Sequence, residues 1–293
     1  MLRSFTWLMM TAAITIAAVD VSLAAEPQAR AELSSWLTLH ASFDQGLDAD
    51  FSRGDSTCYV LAGQQLQRAQ LNDASKLEPE AGRFGGALHF KKKSGFQPTF
   101  KNAGVLDYNA KDWNSTVSVW LKLDPDKDLE PGYCDPIQIV GDSGAKGFIF
   151  LEFSKDETPR YFRYAIRPLF SIWNPNNISW ADIPFDERPM VQVEKPQFSR
   201  ESWTHVVFTL ENINNKNAQP SGRLYINGKS MGAIEDWDLT FDWDASAVLM
   251  VLGASYVGYM DDLAVFDCAL GSAEVEQLYE LRTGVKELYA PKP

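Results

Sequence analysis

The feature that most constrains this chain is a side-chain alternation of period two. Val117, Val119 and Leu121 project one way, and Ser118, Trp120 and Lys122 the other. Successive residues of an extended strand point to opposite faces, so this pattern marks a strand with one face in a core. Leu37, Leu39, Ala41 and Phe43 alternate in the same way with Thr38, His40 and Ser42. Further strand-like runs fall at 87–90, 137–140, 148–153, 161–166, 204–210, 223–226, 231–234, 248–252 and 259–266. Turn chemistry separates them, most plainly Asn227-Gly228, where both residues tolerate positive φ and close a hairpin. Only one late segment has a helical pattern. Ser272 is its expected N-cap, Glu274 and Glu276 lie in the first turn, and Val275, Leu278, Tyr279 and Leu281 form its apolar stripe, with Gly284 as C-cap. Many strands at short spacing with one terminal helix predict an all-β, two-sheet antiparallel sandwich.

A single domain can reach the length of 293 residues, and no repeat or second domain is visible. The formal net charge is −12, which argues against a nucleic-acid backbone or an anionic membrane surface as partner. Neutral sugars and divalent cations remain compatible. Residues 1–24 read as a secretory signal peptide of bacterial type. Arg3 precedes an apolar stretch from 5 to 19, and Ser22-Leu23-Ala24 offers small residues for cleavage. The expected location is secreted or periplasmic. No later segment is apolar enough for an integral membrane span. Residues 25–35 form a short lead, 36–286 the domain and 287–293 a tail. Asn114-Ser115-Thr116 and Asn177-Ile178-Ser179 fit a glycosylation sequon that a bacterial periplasm would not use. Cys58, Cys134 and Cys268 allow at most one internal disulfide, in any of three pairings; the alternative is three buried thiols.

Five segments in order resemble the LamG-like, or concanavalin A-like, jelly-roll family. They are Gly82-Arg83-Phe84-Gly85-Gly86-Ala87-Leu88-His89-Phe90, the strand from Thr116 to Leu123, Trp203-Thr204-His205 with the strand after it, Gly222 to Lys229, and Tyr259 to Leu270 with its adjacent acids Asp261 and Asp262. Together they span about residues 36–284. The resemblance implies that the first and last strands lie together, that the terminal helix packs on the sandwich, and that the domain could hold one structural calcium. Asp44 and Asp261 are the side chains expected to reach such an ion, which needs six to eight oxygens. Asp48, Asp50 and Asp55 form a second acidic cluster, expected to be a solvated loop. Related sequences often carry a basic residue where Cys268 stands.

A retaining glucanase on this fold would need carboxylates at i, i+2 and i+4 of one strand. Glu152 and Asp156 supply the ends, but Ser154 stands between them, so both are expected on a solvent face. Asp236 and Asp238 lie at i, i+2 on a loop. His40, His89 and His205 are expected to be structural, the first two on outer strand faces. The region 168–197, punctuated by five prolines, reads as a long ordered insertion. Trp173 and Trp180 with Asn174, Asn176, Asn177 and Asp182 supply the stacking rings and hydrogen-bonding groups that a sugar needs. Trp237, Trp243 and Asp242 form a second such set. The expected function is non-catalytic binding of an extracellular or envelope glycan. A glycoside hydrolase or polysaccharide lyase, and a structural or protein-interaction module, are the alternatives.

Overall fold

The computed structural model describes residues 30–63 and 65–289. The leader expected at 1–24 and most of the lead lie outside the described residues. Residues 30–36 are helical and run directly into the first strand. In chain order the strands begin β1 (Leu37–Ala41), β2 (Phe51–Ser52), β3 (Tyr59–Ala62), β4 (Gln65–Arg68), β5 (Ser75–Glu78) and β6 (Ala87–Phe90). They continue β7 (Thr99–Lys101), β8 (Trp113–Lys122), β9 (Cys134–Val140), β10 (Phe148–Phe153), β11 (Phe162–Arg167) and β12 (Met190–Val193). The last are β13 (Thr204–Ile213), β14 (Ser221–Ile226), β15 (Lys229–Ile234), β16 (Leu249–Ala254) and β17 (Gly258–Phe266).

One sheet runs β15-β14-β13-β8-β17-β1-β2, with β6 also on β17 and β5 beyond it. The other runs β12-β11-β10-β9-β16-β7-β3-β4. The first and last strands are antiparallel neighbours, with Leu39 opposite Val265 and Ala41 opposite Leu263. Val117, Val119 and Leu121 enter the core between the sheets with Phe208, Ile139, Leu151 and Met250. Burial of one such large side chain contributes about 2 kcal/mol. The other face of the nine-stranded sheet is covered as well. Val207, Tyr225, Ala264 and Phe266 pack there against Val275, Leu278 and Leu281 of the C-terminal helix segment and against Leu33 and Leu37. This third layer explains why alternate residues on β13 and β17 are apolar on both faces.

Several local expectations need correction. The helix Ser272–Tyr279 is capped by Gly271, not Ser272, and ends at Glu280. Gly284, at φ 79°, instead opens a 3-10 turn, Val285–Leu288. The insertion carries its own structure: a short helix Phe170–Trp173, two 3-10 turns, and β12, which pairs with β11. Trp243 is not a surface platform. It lies in the core against Tyr108, Trp113 and Phe241. His40 is on an outer strand face, as alternation requires, but it is buried and bonded to Tyr289 and Asp262. His205 is buried, and burial pulls its pKa down to about 3, so it is neutral beside Ser118. Cys58, Cys134 and Cys268 are all free thiols.

Candidate functional site

The insertion is fixed to the eight-stranded sheet through Arg167, at the end of β11. Ile166 points into the core, so its neighbour Arg167 points outward. Its guanidinium carbon lies 3.9 Å from the Trp180 ring centre, 4.7 Å from Phe150 and 5.1 Å from Trp173. Arg188 lies 4.6 Å from Trp180. Guanidinium groups are attracted to indole faces, most strongly where water is excluded. Trp180 also rests on an apolar patch of Phe150, Ala165 and Met190. It therefore anchors the insertion. Trp173 meets Trp180 edge-on, with ring centres 5.6 Å apart.

Asn174 is buried and closes the next turn. Its Nδ2 donates to the Ile178 carbonyl (2.8 Å), and its Oδ1 accepts from the Ile178 N–H (2.9 Å). Asn176 is exposed, and with Asn174 it lines a cavity of about 560 Å³ together with Trp173, Ile178, Asp186, Asp236 and Trp237. Asp182 is exposed and Trp180 half-buried, and neither lines this cavity. A second depression of about 550 Å³ adjoins it, sharing Asp236 and Trp237 and adding Asn214, Asn215, Gln219 and Asp238. Asp236 takes a left-handed backbone (φ 62°), where the chain leaves β15 and Leu239 is buried behind it. The structure thus separates Trp237 from Trp243 and places it with Trp173. The result is an extended groove with two indoles and a rim of amides and carboxylates. The lining of the first cavity includes Glu187 and Glu235 and contains no cation. Its chemistry suits a polyol: rings to stack on a pyranose or furanose face, and acceptors for hydroxyls.

A polar network lies under the outer face of the same sheet. Glu152 is buried, not solvent-facing as its position in the strand suggested. Its Oε1 accepts from Arg163 Nη1 (3.1 Å), and Arg163 Nε donates to Gln192 (2.7 Å) on β12. The strand-pairing register slips between Leu151 and Phe153, opposite residues 134–137 of β9. Asp135 lies in that stretch, and its Oδ2 accepts from Gln138 (2.6 Å). Its Oδ1 is buried without a partner. Burial, then the charge of Glu152, pushes the Asp135 carboxyl up to about 7. Burial likewise raises Glu152, against the pull of Arg163. The sequence hid this pairing because the second acid comes from the neighbouring strand. Asp156 is exposed and beside Lys155.

Asp44 and Asp261 converge on one glycine-rich turn. Asp44 follows Phe43, whose φ is 58°, and its Oδ1 accepts from Gly86 N–H (2.5 Å). A bulge in β17 leaves Asp262 at φ 50° and buries both adjacent acids. Asp262 then bonds His40 (2.7 Å), while Asp261 Oδ2 accepts from Phe84 N–H (3.0 Å). Asp261 Oδ1 is buried and unpartnered, and burial beside Asp262 pushes its carboxyl up to about 7. Among the described residues no group of three or more His, Cys, Asp or Glu side chains is arranged to hold a metal. Any ion here would need its remaining oxygens from backbone carbonyls and water. Both carboxylates sit against glycine, where a Cβ at Gly85 or Gly82 would collide with them.

Among curated proteins, no sequence matches this chain. Solved structures share the fold. Domain 4 of an extracellular GH43 arabinanase from Geobacillus stearothermophilus, in complex with arabinotriose, superimposes with a TM-score of 0.53 at 17% identity, covering 84% of this chain and 98% of that one. A mutant of HCR/D gives 0.52 at 14% identity over 84% of this chain and 51% of its own. Residues 100–276, more than half of the sequence, match the family Laminin_G_3, and with the paired first and last strands this places the chain in the concanavalin A-like lectin/glucanases superfamily.

Proposed function

We propose that the protein is a non-catalytic carbohydrate-binding domain, exported from a bacterial cytoplasm, whose ligand is a neutral glycan of the cell exterior or envelope. The observation that carries this is the groove on either side of Trp237, with Trp173 and Asn176 on one flank and Asn214, Asn215 and Gln219 on the other. Two adjoining depressions suit a chain of sugars better than a single one. Trp173 and Trp237 supply stacking surface; Asn176, Asp236 and Asp238 take hydroxyl groups. Trp180 and Asn174 support the insertion that presents Trp173, and Asn174 also lines the groove, whereas Asp182 stands exposed outside it. The leader-like residues 1–24 support export. The arabinanase domain was solved with a neutral trisaccharide, which is compatible with a ligand of this class.

One observation favours a hydrolase instead: Asp135 and Glu152 form a carboxyl pair with raised pKa values, as acid–base chemistry often requires. Both are buried, and Glu152 is spent on Arg163. A glycosidase needs its carboxyls on opposite sides of an accessible glycosidic bond. We therefore read the pair as part of the sheet's outer network. Titration with neutral oligosaccharides tests binding, and product release from the same panel, lost in Glu152→Gln, would reinstate hydrolysis.

We also propose a calcium ion at Asp44 and Asp261. The unpartnered Asp261 Oδ1 is the supporting feature, because this buried carboxylate oxygen has no donor among the described protein groups. The cation would supply charge neutralisation, keeping Asp261 ionised and tying β1, β17 and the 82–86 turn together.

A further inference from the structure

A second pocket, remote in composition from the groove, reverses its charge. Tyr259 on β17 is the cross-strand neighbour of His89 on β6 and of Lys122 on β8. Cross-strand partners share a face, so the three side chains form a row. Trp203, just before β13, extends it: its ring centre is 6.3 Å from that of Tyr259. His89 stacks on Tyr259 with ring centres 3.9 Å apart and planes inclined by 13°. With Lys91, Leu123, Asp128 and Arg200, the side chains of His89, Tyr259 and Lys122 line about 400 Å³, large enough for a small ligand; Trp203 stands behind them and does not line it.

Two of the three cations of this pocket, Lys91 and Lys122, are not neutralised, whereas Arg200 is paired with Asp128. Lys122 Nζ lies 4.9 Å from the Trp203 ring centre, 4.8 Å from that of Tyr259 and 3.4 Å from the Ala81 carbonyl. Neither Lys122 nor Lys91 forms an ion pair among the described residues. Arg200 is held by Asp128, donating from Nε (2.8 Å) and Nη2 to the same carboxylate oxygen. The lining thus sets three cations against one carboxylate, in a chain whose net charge is −12. His89 gives Nδ1 to Glu78 (2.9 Å), which leaves Nε2 as the ring nitrogen for a ligand. Lys122 held between two rings and a carbonyl is a positioned ammonium awaiting an anion.

We propose that this pocket is a second binding site, specific for an acidic sugar residue, carrying a carboxylate or a sulfate ester. The Lys122 ammonium takes the anionic group, with Lys91 supporting it from the rim. Tyr259 has His89 stacked on one face and the Lys122 ammonium over its ring, so the sugar meets the edge of the stacked pair, an apolar contact that a bare inorganic anion could not use. The site does not depend on the Trp173–Trp237 groove and can exist whether or not that groove binds neutral glycans.

Calorimetric titration of the whole protein tests it with four probes: a uronic-acid trisaccharide, a sulfated disaccharide, inorganic sulfate and a neutral trisaccharide. One of the acidic saccharides should bind saturably, and which one does so identifies the anionic group. Lys122→Gln should weaken that binding about tenfold and Lys91→Gln severalfold, since each removes one positive charge from a partly exposed site. Raising ionic strength should weaken it further. Trp237→Ala should leave it unchanged. Lys91 is exposed, so its variant keeps the test sound even if Lys122→Gln disturbs packing. The proposal is overturned if neither acidic saccharide binds at millimolar concentration, or if both lysine variants bind like the parent. It is equally overturned if inorganic sulfate binds as tightly as the saccharide.

Discussion

Asp135→Asn should stabilise the protein above neutral pH and do almost nothing in acid. The carboxyl of Asp135 is buried, with one oxygen unpartnered, and its pKa is raised from 3.8 to about 7. Below about pH 4 both folded and unfolded chains hold the proton, so the group contributes no pH dependence. Between about pH 4 and pH 7 the folded chain retains a proton that the unfolded chain has released. Stability therefore falls as pH rises across that interval, by about 1.4 kcal/mol per unit of pKa displacement. The accumulated penalty at pH 8 is about 4 kcal/mol at most, and an asparagine, isosteric and uncharged, removes it. Its amide oxygen can still accept from Gln138. Denaturant unfolding at pH 4 and pH 8 measures the difference directly. The variant should match the parent at pH 4 and exceed it at pH 8 by about 2–4 kcal/mol, or on the order of 5–10 °C in Tm. A variant equally destabilised at both pH values would refute the reasoning, because the role of Asp135 would then be independent of the titration of its carboxyl.

Other outcomes follow from the same physics. Gly85 has φ 117°, and a Cβ there would meet the Asp44 carboxylate, so Gly85→Ala should cost about 2–4 kcal/mol in chemical unfolding. Calcium in hundredfold excess over its dissociation constant should raise stability by about 2.7 kcal/mol, with the gain reversed by chelation. Asp261→Asn should abolish that response, and an unaltered melting curve in the parent would remove the ion from the picture. Phe208 is buried between the sheets, and Phe208→Ala should cost about 3–5 kcal/mol, measured by the same unfolding assay.

The sandwich was legible in the sequence because strand alternation is a local signal. Val117, Val119 and Leu121 announce a core face without help from the rest of the chain. The adjacent acids of the last strand were legible as a motif, although the bulge that buries both Asp261 and Asp262 was not. The site was harder to read because it is assembled across loops. Trp173 and Asn176 were visible as ring and amide within one insertion. Their companion Trp237 comes from some sixty residues away and reads equally well as a partner for Trp243, which the core claims. Nor does composition distinguish Trp180, locked under two arginines, from Trp173, which faces the groove. Glu152 appeared solvent-facing because alternation tells which face a residue takes, not what covers that face. The row His89–Tyr259–Lys122 is a product of register between three strands remote in sequence.

The most direct measurement is a titration of the purified protein with neutral oligosaccharides of increasing length, run in parallel on Trp173→Ala and Trp237→Ala. Saturable binding that tightens from one sugar to several, and that falls at least tenfold in either variant without loss of folding, is the predicted result. If no neutral oligosaccharide binds, or if both variants bind as the parent does, then the indoles beside Asp236 are surface packing and the groove is not a glycan site.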